Sequence, residues 1–200
     1  MVALPKYEHQ WTEAEYLAFE RTSETKHEYY DGQLYNMVGG SANHSQITAN
    51  TIATFHIILR ERPCRVYTSD LRVKLLRAYV YPDVTVVCGE PQLADQDTLL
   101  NPTLIIEVLS PSTAQHDRTT KWQRYQTLST LQDYLLIAQD VPRLEHYGRQ
   151  GEKQWLLTIY EGLEAVAELP SLAVRLPLVE LYAKVDFLPE EAADADEGDR

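Results

Sequence analysis

Two apolar stretches of this chain each carry a single acid. The first reads Tyr81-Pro82-Asp83-Val84-Thr85-Val86-Val87, and the second Leu104-Ile105-Ile106-Glu107-Val108-Leu109. Unbroken apolar runs of this length read as strands covered on both faces. An ionised carboxylate inside such a strand is costly unless it is paired or binds a metal. Two of them on neighbouring strands would repel each other, and a divalent cation resolves that conflict. Magnesium takes oxygen ligands, is often held by one or two carboxylates, and leaves positions for water and phosphate. Taken singly, each acid reads more simply as a strand-end residue that meets solvent or an arginine. Taken together, they favour a site.

Lys121 is the third candidate. It falls on a helix expected over about 115–128, just after the Glu107 strand, with Tyr125 and Leu128 on the same inward face. A lysine at the head of that face can point along the sheet towards the carboxylates. The simpler reading is a surface ion pair with Asp117 one turn earlier. Glu28 and His44 are weaker candidates. Glu28 shares a strand face with Lys26 and Tyr30, and His44 sits in the first turn of a helix that Ser41 or Asn43 can cap, leaving His44 exposed.

The elements that would position these residues follow from local pattern. Thr12-Glu13-Ala14-Glu15 is a capping box, with Trp11 and Tyr16 as a staple, and starts a helix over about 13–20. Asp31-Gly32 predicts a type I′ hairpin joining 26–30 to 33–38. Ile47, Thr51, Phe55 and Ile58 recur at helical spacing, so 41–60 reads as a long helix ended by Pro63. Strands are expected over 66–76, 79–88 and 103–109, with a polar loop over 89–101. After the second long helix come strands over 134–138, 143–147, 154–160 and 165–169. The fold class is therefore mixed α and β, a central sheet with helices packed on it and extra C-terminal strands.

Composition sets limits. The chain has 200 residues and 44% hydrophobic content, enough for one cored domain, expected over 1–188. Residues 189–200 hold six acids and one base and read as a disordered acidic tail. The start has no apolar segment behind a basic one, and no apolar run approaches a membrane span, so no export leader and no membrane partner are expected. Cys64 and Cys88 suit neither a disulfide framework nor a zinc site. As lone thiols they suggest a reducing, cytoplasmic setting.

The net charge of −12 runs against nucleic-acid binding, which favours basic proteins. Basic residues do cluster locally. Residues 60–77 hold six against Glu61 and Asp70, and Arg118, Lys121 and Arg124 form a second small set. These clusters could line a cleft or be ordinary solvated faces.

Several motifs together resemble the Uma-type family of restriction endonucleases. They are Trp11-Thr12 with Glu15-Tyr16-Leu17, His27-Glu28-Tyr29 with Asp31-Gly32, Asn43-His44, Ser69-Asp70, Pro82-Asp83, Glu107-Val108-Leu109-Ser110-Pro111-Ser112-Thr113, and Asp117 with Lys121 and Tyr125. The resemblance spans about 11–187. It implies a restriction-endonuclease-like PD-(D/E)XK fold and hydrolysis of phosphodiester bonds in nucleic acid, DNA being the expected substrate. It implies Mg2+ or Mn2+ on Asp83, Glu107 and the Val108 carbonyl. The superfamily lysine two places after the acid would fall at Leu109, so its role passes to Lys121, with Glu28 and His44 at the site's edge. Arg72, Lys74 and Arg118 are the candidate contacts to nucleic acid. Two rival readings remain: a non-catalytic regulatory module on the same fold, and a protein-interaction scaffold, a homodimer joined through the C-terminal strands.

Overall fold

A computed structural model of the chain describes residues 9–37, 39–111 and 113–187. The acidic tail expected over 189–200 lies outside the described residues.

The N-terminal elements form where their local signals place them. Helix α1 (Glu13–Glu20) opens on a capping box, in which the Glu15 N–H donates to Thr12 Oγ1 and the Thr12 N–H donates to Glu15 Oε2. Strands β1 (His27–Tyr30) and β2 (Gln33–Asn36) pair across Asp31-Gly32, both at positive φ, as a type I′ turn requires. Helix α2 (Ala42–Leu59) is capped by Ser41, whose side chain accepts from the His44 N–H.

The two long strands expected over 66–76 and 79–88 are each divided. The first becomes β3 (Cys64–Thr68) and β4 (Arg72–Leu75), separated by a turn in which the Leu71 N–H bonds the Thr68 carbonyl. The second becomes β5 (Ala78–Val80) and β6 (Val84–Cys88), separated by Tyr81-Pro82-Asp83. Proline has no N–H for a ladder, which explains the second break. The chain uses both breaks to cross between sheets, β3 and β6 joining one and β4 and β5 the other. The expected polar loop contains two short strands, β7 (Leu93–Ala94) and β8 (Thr98–Leu99).

The central sheet also takes β9 (Leu104–Leu109), β10 (Asp133–Ala138), β11 (Arg143–Arg149) and β12 (Trp155–Glu161), in the order β12-β11-β10-β9-β6-β3. Strands β9 and β10 run parallel and are buried at every position, as a strand covered on both faces must be. The second sheet runs β2-β1-β5-β4-β8-β7. A hairpin of β13 (Val166–Leu169) and β14 (Val174–Pro177) and a short helix, Leu178–Leu181, follow. That last strand and helix were not expected.

Alternation divides the core into two layers. On one face of the central sheet Leu104, Ile106 and Val108 pack with Ile47, Phe55 and Leu59 of α2. On the other face Ile105, Leu109 and Leu136 pack with Val73, Val80 and Tyr125.

Cys64 and Cys88 correct the expectation of free thiols. They face each other in the β3–β6 register and form a disulfide. The inference of a reducing setting falls with the lone thiols that carried it. Among the described residues no helix is long and apolar enough to cross a membrane.

Candidate functional site

Glu107 lies on the face of β9 shared with Ile105 and Leu109, against the helical run over 114–125. On β6, Val84 pairs with Ile106 and Thr85 with Ile105. One step further in that register sets Asp83 opposite Glu107. The two acids thus meet where the broken strand re-enters the sheet, with Asp83 just outside β6 rather than within it. The Val108 N–H donates to Asp83 Oδ2 at 2.7 Å, fixing the carboxylate against β9.

The helical run supplies Lys121. Its middle segment, Asp117–Lys121, is a π turn, and both Asp117 and Lys121 are buried. Such turns inside helices are frequent at functional sites. Lys121 Nζ lies 3.2 Å from Glu107 Oε1, 3.2 Å from Glu28 Oε1 and 3.5 Å from Asp117 Oδ1. The surface ion pair expected with Asp117 is therefore one contact of a buried network. Three tyrosines or their backbones complete it. Tyr125 donates to Glu107 Oε1 at 2.7 Å, Tyr30 donates to Glu28 Oε2 at 2.9 Å, and the Tyr81 N–H donates to Glu28 Oε1 at 3.3 Å.

His44, expected to be exposed at its helix end, is instead mostly covered, with Nε2 3.3 Å from Asp83 Oδ2. That bond to Asp83 raises the pKa of the imidazole above its ordinary value against the opposing effect of burial. Burial also dominates Glu107, whose carboxyl is pushed up to about 8, with Lys121 opposing the shift and Asp117, Asp83 and Glu28 adding to it. Burial disfavours the charge of Lys121, yet Glu107, Glu28 and Asp117 together hold its pKa well above the ordinary lysine value.

Four carboxyl groups thus gather around one lysine and one histidine, so acids outnumber basic groups four to two. Asp117 Oδ1 is buried and accepts no hydrogen bond, although it faces Lys121. Buried negative excess with an unsatisfied oxygen is the environment a divalent cation suits. Among the described residues no group of three or more His, Cys, Asp or Glu side chains has the geometry to hold a metal ion. A set of two carboxylates and a backbone carbonyl, completed by water, stays below that count and fits magnesium.

The structure brings together Asp83, Glu107, Lys121, Glu28 and His44. It does not bring in the other three basic candidates. Arg72 is 3% exposed, with its guanidinium 2.6 Å from Asp97 and bonded to Tyr81 and Thr98. That burial leaves no surface for a phosphate and corrects the expectation. Lys74 pairs with Glu13 at 3.0 Å, and Arg118 with Glu145 at 2.8 Å. Sequence reasoning undervalued Asp117 and passed over Tyr30. The spacing Asp117, Lys121, Tyr125, each four residues apart, was the available signal for the first.

Residues 13–178 match the Uma2 family, described as putative restriction endonucleases. The chain belongs to the Uma2 family. Two uncharacterized proteins of Synechocystis are similar over most of their length. One is 38% identical over 82% of this chain and 94% of its own, and the other 34% identical over 86% and 92%. The crystal structure of a putative nuclease of DUF820 from Anabaena variabilis superposes with a TM-score of 0.71 at 21% identity, covering 84% of this chain and 96% of that one. This likeness establishes that this Uma2 member shares the mixed α+β fold of that putative nuclease.

Proposed function

We propose that the chain is a divalent-metal-dependent endonuclease that hydrolyses phosphodiester bonds in nucleic acid, with DNA as the substrate. The observation that carries this reading is the convergence of Glu28, Glu107 and Asp117 on Lys121, with Asp83, bonded by His44, opposite Glu107 in the strand register. Asp83, Glu107 and the Val108 carbonyl would hold Mg2+ or Mn2+. The ion, when bound, supplies positive charge at the phosphate and lowers the pKa of the attacking water.

The chain's own residues do the rest. His44 and the Val108 N–H hold Asp83 in one orientation. Tyr125 does the same for Glu107. Glu107, Glu28 and Asp117 keep Lys121 protonated, so its ammonium can donate to charge developing on a phosphate oxygen. Arg118 is paired with Glu145 and would have to release it before meeting the nucleic-acid backbone.

The test is nicking of supercoiled plasmid with Mg2+ or Mn2+, by the native chain and by Asp83→Asn and Glu107→Gln. The reading requires metal-dependent nicking that both substitutions abolish while the fold persists. Nicking unchanged in Asp83→Asn, or none at all with either metal, overturns it and favours the non-catalytic module.

A further inference from the structure

Strand β12 ends the central sheet, and among the described residues no strand pairs with its outer edge. Exposed edges invite pairing, and natural sheets blunt them with lysine, proline, bulges or short strands. None of these devices is present here. The strand is seven residues long, Trp155-Leu156-Leu157-Thr158-Ile159-Tyr160-Glu161, and its single charge is at the end. It pairs with β11 in seven consecutive steps without a bulge. Leu156, Leu157 and Ile159 are 55%, 44% and 45% exposed. Val141 and Leu163, beside the same pair of strands, are exposed as well. Apolar side chains this concentrated mark an interaction surface rather than scattered surface residues.

The strand's own sequence identifies its partner. A two-fold axis normal to the sheet keeps each face on its own side, so a residue can oppose only residues on its own face. Among the allowed antiparallel registers, the one centred on Thr158 uses the whole strand. Leu157 then opposes Ile159 of the second copy, Leu156 opposes Tyr160, and Thr158 opposes itself. Apolar and threonine pairs of this kind are the stabilising cross-strand combinations. At the ends Trp155 opposes the second copy's Glu161. The Arg149 guanidinium lies 4.3 Å from the centre of the Trp155 ring, so that acid arrives beside a cation, twice by symmetry.

We propose that β12 is the seam of a homodimer, pairing antiparallel with β12 of a second copy about a two-fold axis at Thr158 to join the two central sheets. This inference does not depend on the nuclease reading.

Sedimentation of the full chain tests it at micromolar concentration. The native protein should sediment as two chains, and Leu157→Lys with Ile159→Lys should sediment as one with its circular dichroism unchanged. Both positions are surface-exposed, so the charges disturb the fold little. A cross-link reads the register. Opposed antiparallel residues have Cα atoms about 4.5–5.5 Å apart, within disulfide reach. Oxidised Thr158→Cys should therefore form covalent dimers, while Val179→Cys, exposed but off the strand, should not. A monomeric native chain overturns the proposal. So does a dimer that survives the double lysine variant, or one in which Thr158→Cys fails to cross-link.

Discussion

Replacing Lys121 with methionine keeps most of the side chain's apolar volume and removes an ammonium within 3.5 Å of three carboxylates. Removing one partner of a buried ion pair costs about 3–5 kcal/mol, because the remaining charge stays uncompensated. Glu107 limits the loss near neutral pH, since its carboxyl is already pushed up to about 8 and takes a proton readily. A net loss of about 3 kcal/mol at pH 7 follows. For a chain of this size each kcal/mol lowers Tm by about 2–4 °C, so the drop should be about 6–12 °C. The pH dependence has a definite sign. Stranded carboxylates destabilise when ionised and cost little when protonated. The deficit should therefore grow from pH 5 to pH 8. Thermal melts of the metal-free native and variant proteins at both pH values give the answer. A drop under about 2 °C at pH 8, or a deficit as large at pH 5, refutes the buried-network reasoning. The same variant should lose nicking activity by about 100-fold or more if its ammonium meets developing charge.

Other consequences are accessible to similar measurements. Glu107 carries a raised pKa, so the metal-free native chain should lose stability as pH rises from its ordinary value of 4.5 to about 8. Urea melts of Glu107→Gln should show that slope flattened, and an unchanged slope would contradict the assignment. His44 has its pKa raised by Asp83, so its contribution to stability is present below the unfolded value and is lost as pH rises through the folded one. Its imidazole resonances should titrate above the ordinary value of 6.5 in the native chain and move back towards it in Asp83→Asn. Reducing the Cys64–Cys88 disulfide, which spans 24 residues, should cost about 2–4 kcal/mol in denaturant melts. Equal midpoints with and without reductant would show that the link constrains nothing.

Local chemistry made much of this legible in the sequence. The capping box at Thr12, the turn at Asp31-Gly32, the Ser41 cap and the apolar run of β9 all specify their elements within a few residues. The sheet exchange was not legible, because alternation continues through 66–76 on both sides of the turn at Ser69-Asp70 and says nothing of which sheet each half joins. Pro82 was the one local clue to the second break. The pairing of Cys64 with Cys88 depends on the β3–β6 register and is invisible from a 24-residue spacing. At the site, the acids stood out because charge is unusual in an apolar run. Arg72 misled for the opposite reason: a charged residue in an alternating strand reads as surface, and the partner that holds it buried, Asp97, lies 25 residues away in sequence. The burial of Asp117 follows from a π turn that helical periodicity does not foresee.

Titration of the metal-free chain with Mg2+ and Mn2+ by calorimetry, repeated on Asp83→Asn, tests the central claim most directly. The account predicts saturable binding to the native chain that Asp83→Asn abolishes, accompanied by proton release as Glu107 gives up its raised pKa. No binding of either ion, or binding that Asp83→Asn leaves intact, would contradict it.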